Sequence, residues 1–191
     1  FNKDFLKTVE FLNDLFNIKQ KVYPNSLENL KLIALRENGE ILFSESEIVS
    51  LRSNVKIHKI FLIKYKNDID KNFLNSLKFE KKIEYLENIS DQSFLLDIVK
   101  KKIEKSNIII FSPGTQHSSL LPTYLSDYLG ENIYLNKNCL KVFISNIGAD
   151  YENPVYIASD YIINSSKYLN MSSKNKHLTS DFFNFLLIND P

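Results

Sequence analysis

The chain has 191 residues, a hydrophobic fraction of 43% and a net charge of +1 from 24 basic and 23 acidic residues. That length can bury a sizeable core, and charges scattered so evenly exclude the dense basic stripe of a nucleic-acid binder. No apolar run reaches the ~18 residues of a membrane span, no signal peptide is visible, and the single cysteine, Cys139, excludes an internal disulfide framework and fits a cytoplasmic location.

Asp4 to Phe16 sets Phe5, Leu6, Val9, Leu12, Leu15 and Phe16 at helical spacing, which predicts an amphipathic helix. Pro24 ends that pattern. Leu30 to Leu35 reads as a strand. The Asn38-Gly39 hairpin signal leads into a second strand, and Lys56 to Tyr65 reads as a third. Residues 66–92, rich in Lys, Asn, Glu and Asp, read as a surface insertion. Ser93 to Lys105 predicts a helix, with Val99 to Lys105 on its solvated face. Asn107 to Phe111 is continuously apolar, as in a strand buried on both faces of a parallel sheet. A helix from about Ser119 to Leu129 then closes at Gly130 as its C-cap. Leu140 to Asn146 is the next buried strand, Ser159 to Leu169 a helix, and Asp181 to Asn189 a short helix and a last strand. The alternation predicts an α/β fold: a three-layer, Rossmann-like, mostly parallel sheet with an added antiparallel hairpin region. Phe1 opens in mid-pattern and Pro191 follows directly on an apolar strand. Residues 1–191 are therefore expected to form a single domain cut at both ends.

Two polar turns follow the strands expected to be parallel. One is Ser112 to Ser119 and the other Asn146 to Asn153. Ligands of open parallel sheets sit at the carboxyl ends of strands, so adjacent strands would bring these turns together across one crevice. The first is built like an anion site. Pro113 stiffens the strand exit, and Gly114 permits a tight bend. Thr115, Ser118 and Ser119 offer hydroxyls, and a helix start offers free N–H groups. Pro122 suits the first helical turn. The alternative is a plain βα loop with Ser118 or Ser119 as N-cap. No GxGxxG or P-loop pattern is present. His117 is a candidate polar contact to a ligand, or else a solvent-exposed side chain, and no GxSxG elbow supports a hydrolase triad. Three scattered histidines and one cysteine show no zinc-ligand spacing. His58 and His177 read as structural or exposed.

At this point the sequence resembles the CofD-like family of 2-phospholactate transferases and gluconeogenesis factors. In the gluconeogenesis-factor branch a buried strand leads into G-P-G-S-L-Y-T-S-I-L-P, and Ser112 to Pro122 aligns to it without a gap. Pro113, Gly114, Ser119, Leu121 and Pro122 are identical, and Thr115 and Ser118 exchange one hydroxyl for another. Val22 to Ile48, Lys141 to Ile162 and the last strand resemble further family segments in the same order. Ser112 stands for the family's first glycine, His117 for a tyrosine and Tyr161 for a frequent histidine. Asp150-Tyr151-Glu152 matches the family's T-q-x-G-E turn only loosely. The family's opening Gly-rich strand would precede Phe1, and the fixed asparagine turn of the transferase branch is replaced.

The resemblance implies a nucleotide- or nucleotide-sugar-binding protein acting in control of carbon or cell-envelope metabolism. Its partner would be a nucleoside diphosphate or a UDP-sugar. The ligand's phosphates would meet Pro113, Gly114, Thr115, Gln116, His117, Ser118 and Ser119. Asn146 and Asp150 would close the other wall, and Asp160 would meet a ribose, a sugar or a metal or else simply cap its helix. Two alternatives stay open: a 2-phospholactate-transferase-like enzyme using a nucleotide-activated donor and Mg²⁺, and a silent interaction domain of a larger protein. A homo-oligomer is compatible with each.

Overall fold

The computed structural model describes residues 4–50, 53–65, 69–148 and 150–189. In chain order the elements are α1 (Phe5–Leu15), β1 (Leu30–Arg36), β2 (Ile41–Leu42), α2 (Glu45–Ser50), β3 (Ile57–Lys64), α3 (Lys71–Ser76), α4 (Phe79–Ile89), β4 (Ser93–Phe94), α5 (Asp97–Lys105), β5 (Ile108–Phe111), a π-helical turn (Gln116–Leu120), α6 (Leu121–Tyr124), β6 (Ser126–Asp127), α7 (Leu129–Leu135), β7 (Leu140–Ile144), α8 (Ala158–Met171), α9 (Thr179–Phe182) and β8 (Phe185–Leu187). No helix among the described residues is long and apolar enough to cross a membrane.

The fold is α/β, with two parallel sheets and one antiparallel sheet. β2-β1-β3 is antiparallel, β4-β6 is a short parallel pair, and β5-β7-β8 is parallel throughout. The parallel strands thus divide between two sheets rather than joining in one. Asn38-Gly39 makes the expected hairpin turn, with Gly39 at φ +84°, a conformation open to glycine at little cost.

The antiparallel sheet buries both faces. Ile33, Leu35, Phe61 and Ile63 meet Leu74 of α3 and Leu86 of α4 on one side. Segment 66–92, apart from 66–68, which lie outside the described residues, is therefore a helical layer of the core and not only a surface excursion. On the other side Leu32, Ala34, Ile60 and Leu62 join a core with Leu121, Tyr124, Tyr168 and Leu169, which continues to Phe111, Phe143 and Phe183 on the parallel sheet. Phe111 and Phe183 meet edge to face at 4.9 Å.

Three expectations need correction. First, β5 is apolar on both faces, but Ile108 and Ile110 are 56% and 59% exposed. Leu140 and Val142 register on them, and Phe185 and Leu187 register in turn on Val142 and Ile144, which carries the same face across the sheet. Second, the helix from Ser93 begins only at Asp97, because Ser93 and Phe94 pair with Ser126 and Asp127. Third, the helix expected over Ser119 to Leu129 is broken. The π-helical turn runs into α6, which ends at Tyr124, β6 intervenes, and Gly130 lies in the first turn of α7 rather than at a C-cap. A Cβ on Gly130 would run into the Leu169 carbonyl oxygen of α8. The glycine is there to let the two helices approach.

Tyr168, 1% exposed, reaches from α8 to the antiparallel sheet, where its hydroxyl accepts from Ile60 N at 2.9 Å. Tyr168→Phe leaves that buried N–H unpaired and is expected to lower stability by about 2 kcal/mol, read by urea unfolding. Gly130→Ala is expected to cost at least as much by the same measurement, because backbone and not a flexible side chain must move.

Candidate functional site

β5 and β7 lie side by side in parallel, with Phe111 registered on Phe143. The turns that leave their carboxyl ends therefore emerge together. Asn146 ties them. Its Oδ1 accepts from Gly114 N at 2.9 Å, and its Nδ2 donates to Gly114 O at 3.1 Å. One side chain thus continues the strand pairing past the end of the sheet. Between the turns opens a cleft of about 480 Å³, within the range of small-molecule sites. Pro113, Gly114 and Thr115 form one wall, and Asn146, Asp150 and Glu152 the other. Val49 and Ile147 add apolar surface. Gly114 does not take a positive φ, and a Cβ there would meet Leu120 at an ordinary 3.6 Å. The bend does not require glycine; the residue's effect is a wall without a side chain.

Gln116, His117 and Ser118 of the first turn point inward. Gln116 is buried, and its Nε2 donates to Tyr161 O at 2.9 Å and to Ser165 Oγ at 3.2 Å, which anchors the turn on α8. His117 is only 1% exposed, so it is neither a solvent-exposed side chain nor an open contact in the cleft. Its ring meets Tyr156 edge to face. Burial, and next the charge of Lys167, push its pKa down to about 3, against a hydrogen bond with Asn153. The imidazole is therefore neutral at physiological pH. Thr115 Oγ1 hydrogen-bonds both Ser118 Oγ at 2.9 Å and Ser119 Oγ at 2.8 Å. Ser118 is buried and Ser119 exposed, so Thr115 and Ser119 alone of this trio reach the outside.

The second turn is held by its own acids. Asp150 is buried and accepts from Glu152 N and from Asn153 Nδ2, each at 3.0 Å. Glu152 is also buried. Its Oε2 accepts from the backbone N–H groups of His117 at 3.0 Å and Ser118 at 3.2 Å. Glu152 belongs to the site but was not singled out from the sequence. Its place inside the turn from Asn146 to Asn153 was the available signal.

Asp160 stands apart. It accepts from Ile157 N at 3.0 Å at the start of α8 and pairs with Lys56 at 3.4 Å. It is a helix cap and does not line the cleft. His177 stacks on Tyr134 and lies 3.3 Å from Glu131, a structural role. Cys139 is buried, and burial raises its thiol pKa. A second cavity of about 200 Å³, lined by Lys59, Glu87 and Asp127 among others, contains none of the candidate residues. No group of three or more His, Cys, Asp or Glu among the described residues is placed to hold a metal.

Two outcomes follow from this geometry. Asn146→Ala removes both bonds to Gly114 and is expected to cost about 2 kcal/mol in urea unfolding. His117 binds its proton more weakly in the native state than at the ordinary value of 6.5. The stability it contributes is therefore present above pH 6.5 and is lost as pH falls toward 3. Between pH 7 and pH 5 the wild type should lose about 2 kcal/mol that His117→Gln does not, read by unfolding at each pH.

Comparisons with known proteins bear on the fold and the family. The gluconeogenesis factor of Bacillus subtilis is 23% identical over 187 residues, which cover 97% of this chain and 47% of that protein. A crystal structure of a Bacillus halodurans protein superposes with a TM-score of 0.71 at 22% identity, over all of this chain and 50% of that one. A second crystal structure of the same protein, described as a member of the UPF0052 family, superposes at 0.66 with 23% identity, over 90% of this chain and 47% of that one. Likeness at such identity shows a shared fold. The chain spans about half the length of the relatives it matches. A family model described as 2-phospho-L-lactate transferase CofD matches residues 1–190, from α1 through both turns of the cleft to β8, and the chain belongs to the CofD family.

Proposed function

We propose that this protein binds a nucleoside diphosphate or nucleotide-linked sugar in the cleft between Gly114 and Glu152, and that this binding serves control of carbon or cell-envelope metabolism in the cytoplasm. One observation carries the reading: a ligand-sized cleft opens at the carboxyl ends of two adjacent parallel strands, with its walls tied by Asn146. Thr115 sits on its wall, and the amides of the π-helical turn lie behind it. Phosphates bind where such N–H groups converge. The side chains around the cleft favour binding over turnover. His117 is neutral and buried, and Cys139 lies on another part of the fold. The name of the Bacillus subtilis relative, gluconeogenesis factor, fits a role in control.

A transferase is the second reading, favoured by the carboxylates of Asp150 and Glu152 in one wall and by the description of the family model. Both carboxylates are already committed to N–H donors, and the described residues build no metal cage on their own. The binding reading does not require Mg²⁺.

The test is calorimetry of UDP-N-acetylglucosamine, UDP-glucose and GDP on the full-length protein, with and without Mg²⁺. Gly114→Val, which adds bulk to the cleft wall, is the control. The expected result is UDP-sugar binding that Gly114→Val weakens about tenfold or more, at least 1.4 kcal/mol. Preference for GDP with Mg²⁺ would select the transferase. No binding of any of the three would return the turn to an ordinary βα loop.

A further inference from the structure

The turn that should receive a phosphate already holds an anion. Glu152 Oε2 sits on the amides of His117 and Ser118, the two N–H groups at the start of the π-helical turn. The other oxygen, Oε1, is buried without a hydrogen-bond partner, and the residue as a whole is only 4% exposed. Among the described residues that line the cleft there is no lysine and no arginine. A phosphate approaching the amides therefore meets the Glu152 carboxylate on the same donors, with Asp150 beside it and no positive side chain among those described residues to offset either.

The geometry points to Glu152 as the residue that decides whether an anion enters: its carboxylate stands in for a phosphate, and a ligand phosphate takes the His117 and Ser118 amides when Glu152 has accepted a proton from solvent. This rests on the cleft being a phosphate site. In balance, the carboxylate and one proton become a neutral carboxylic acid, and the amides pass from one anion to the other. The groups that face Glu152 fit this exchange. Asp150, on its own loop, disfavours a second negative charge. His117, behind the turn, stays neutral and supplies no counter-charge. Tyr161, on α8, is buried, with its phenol held neutral well above the ordinary range. Burial is the largest influence on Glu152 and raises its pKa, against the lowering effect of its bonds to Ser118 and His117. Below this raised pKa the neutral carboxyl holds the amides more weakly and gives them up more readily to an anion, and above it the ionised carboxylate competes.

The experiment is calorimetric titration of inorganic pyrophosphate into the full-length wild type and Glu152→Gln between pH 5.5 and 8.5. The amide keeps an oxygen for the two N–H groups and removes the charge. Taking the ratio of the two affinities at each pH cancels the titration of pyrophosphate itself. Glu152→Gln is expected to bind about tenfold tighter or more at the alkaline end, with the ratio falling toward one as pH falls. Infrared difference spectra of the wild type need no variant and should show a protonated carboxyl band when pyrophosphate is added at neutral pH. Binding by the wild type with a ratio of one at every pH, or without that band, would make Glu152 a structural brace and overturn the inference while leaving the phosphate site intact. No binding by either protein at any pH would overturn both.

Discussion

The parallel register of β5 on β7 is the constraint on which the site depends. With Phe111 beside Phe143, both chains leave the sheet at the same level, and their polar turns have nowhere to go but alongside each other. Asn146 then extends the ladder by one more pair of hydrogen bonds, made by a side chain to the backbone of Gly114. Buried backbone groups must be paired, and at the end of a sheet no strand remains to pair them. A side-chain amide has the donor and acceptor to do so, and it leaves the space beyond free for a cleft.

The rest of the molecule holds that cleft from behind. Gln116 anchors the first turn on α8, Tyr168 anchors α8 on the antiparallel sheet, and Gly130 lets α7 lie close against it. The antiparallel sheet has helices on both faces and acts as the stiff base. The parallel sheet is covered on one face only among the described residues, and its other face presents Ile108, Ile110, Phe185 and Leu187 to the outside. The chain spans about half the length of its curated relatives.

Electrostatics gives the cleft its character. A phosphate site is usually pictured as an excess of donors and positive charge. Here the donors of the π-helical turn are already engaged by an acid of the same chain, and a second acid braces the loop that carries it. Burial of Glu152 favours its neutral form. On the proposed reading, an anion site closed by an internal carboxylate is coupled to protons in a way that an empty one is not.

Much of this was legible in the sequence. Hydrophobic period and turn chemistry are local properties, so the α1 helix, the Asn38-Gly39 hairpin, the apolar runs of β5 and β7 and the α8 helix could be read from neighbouring residues alone. The run from Pro113 to Pro122 carried the family resemblance because a turn motif is contiguous. Tertiary contacts decided the rest. Whether β5 is covered on one face or two depends on what packs against it, and apolar side chains look the same in either case. His117 and Ser119 belong to one polar turn, yet only the packing of α8 beneath it shows that the histidine faces inward. Asp160 and Glu152 are both acids in the same third of the chain. The first caps a helix and the second reaches across to the amides of another loop, because a carboxylate's partner is set by which backbone comes within 3 Å, and sequence order does not measure that distance.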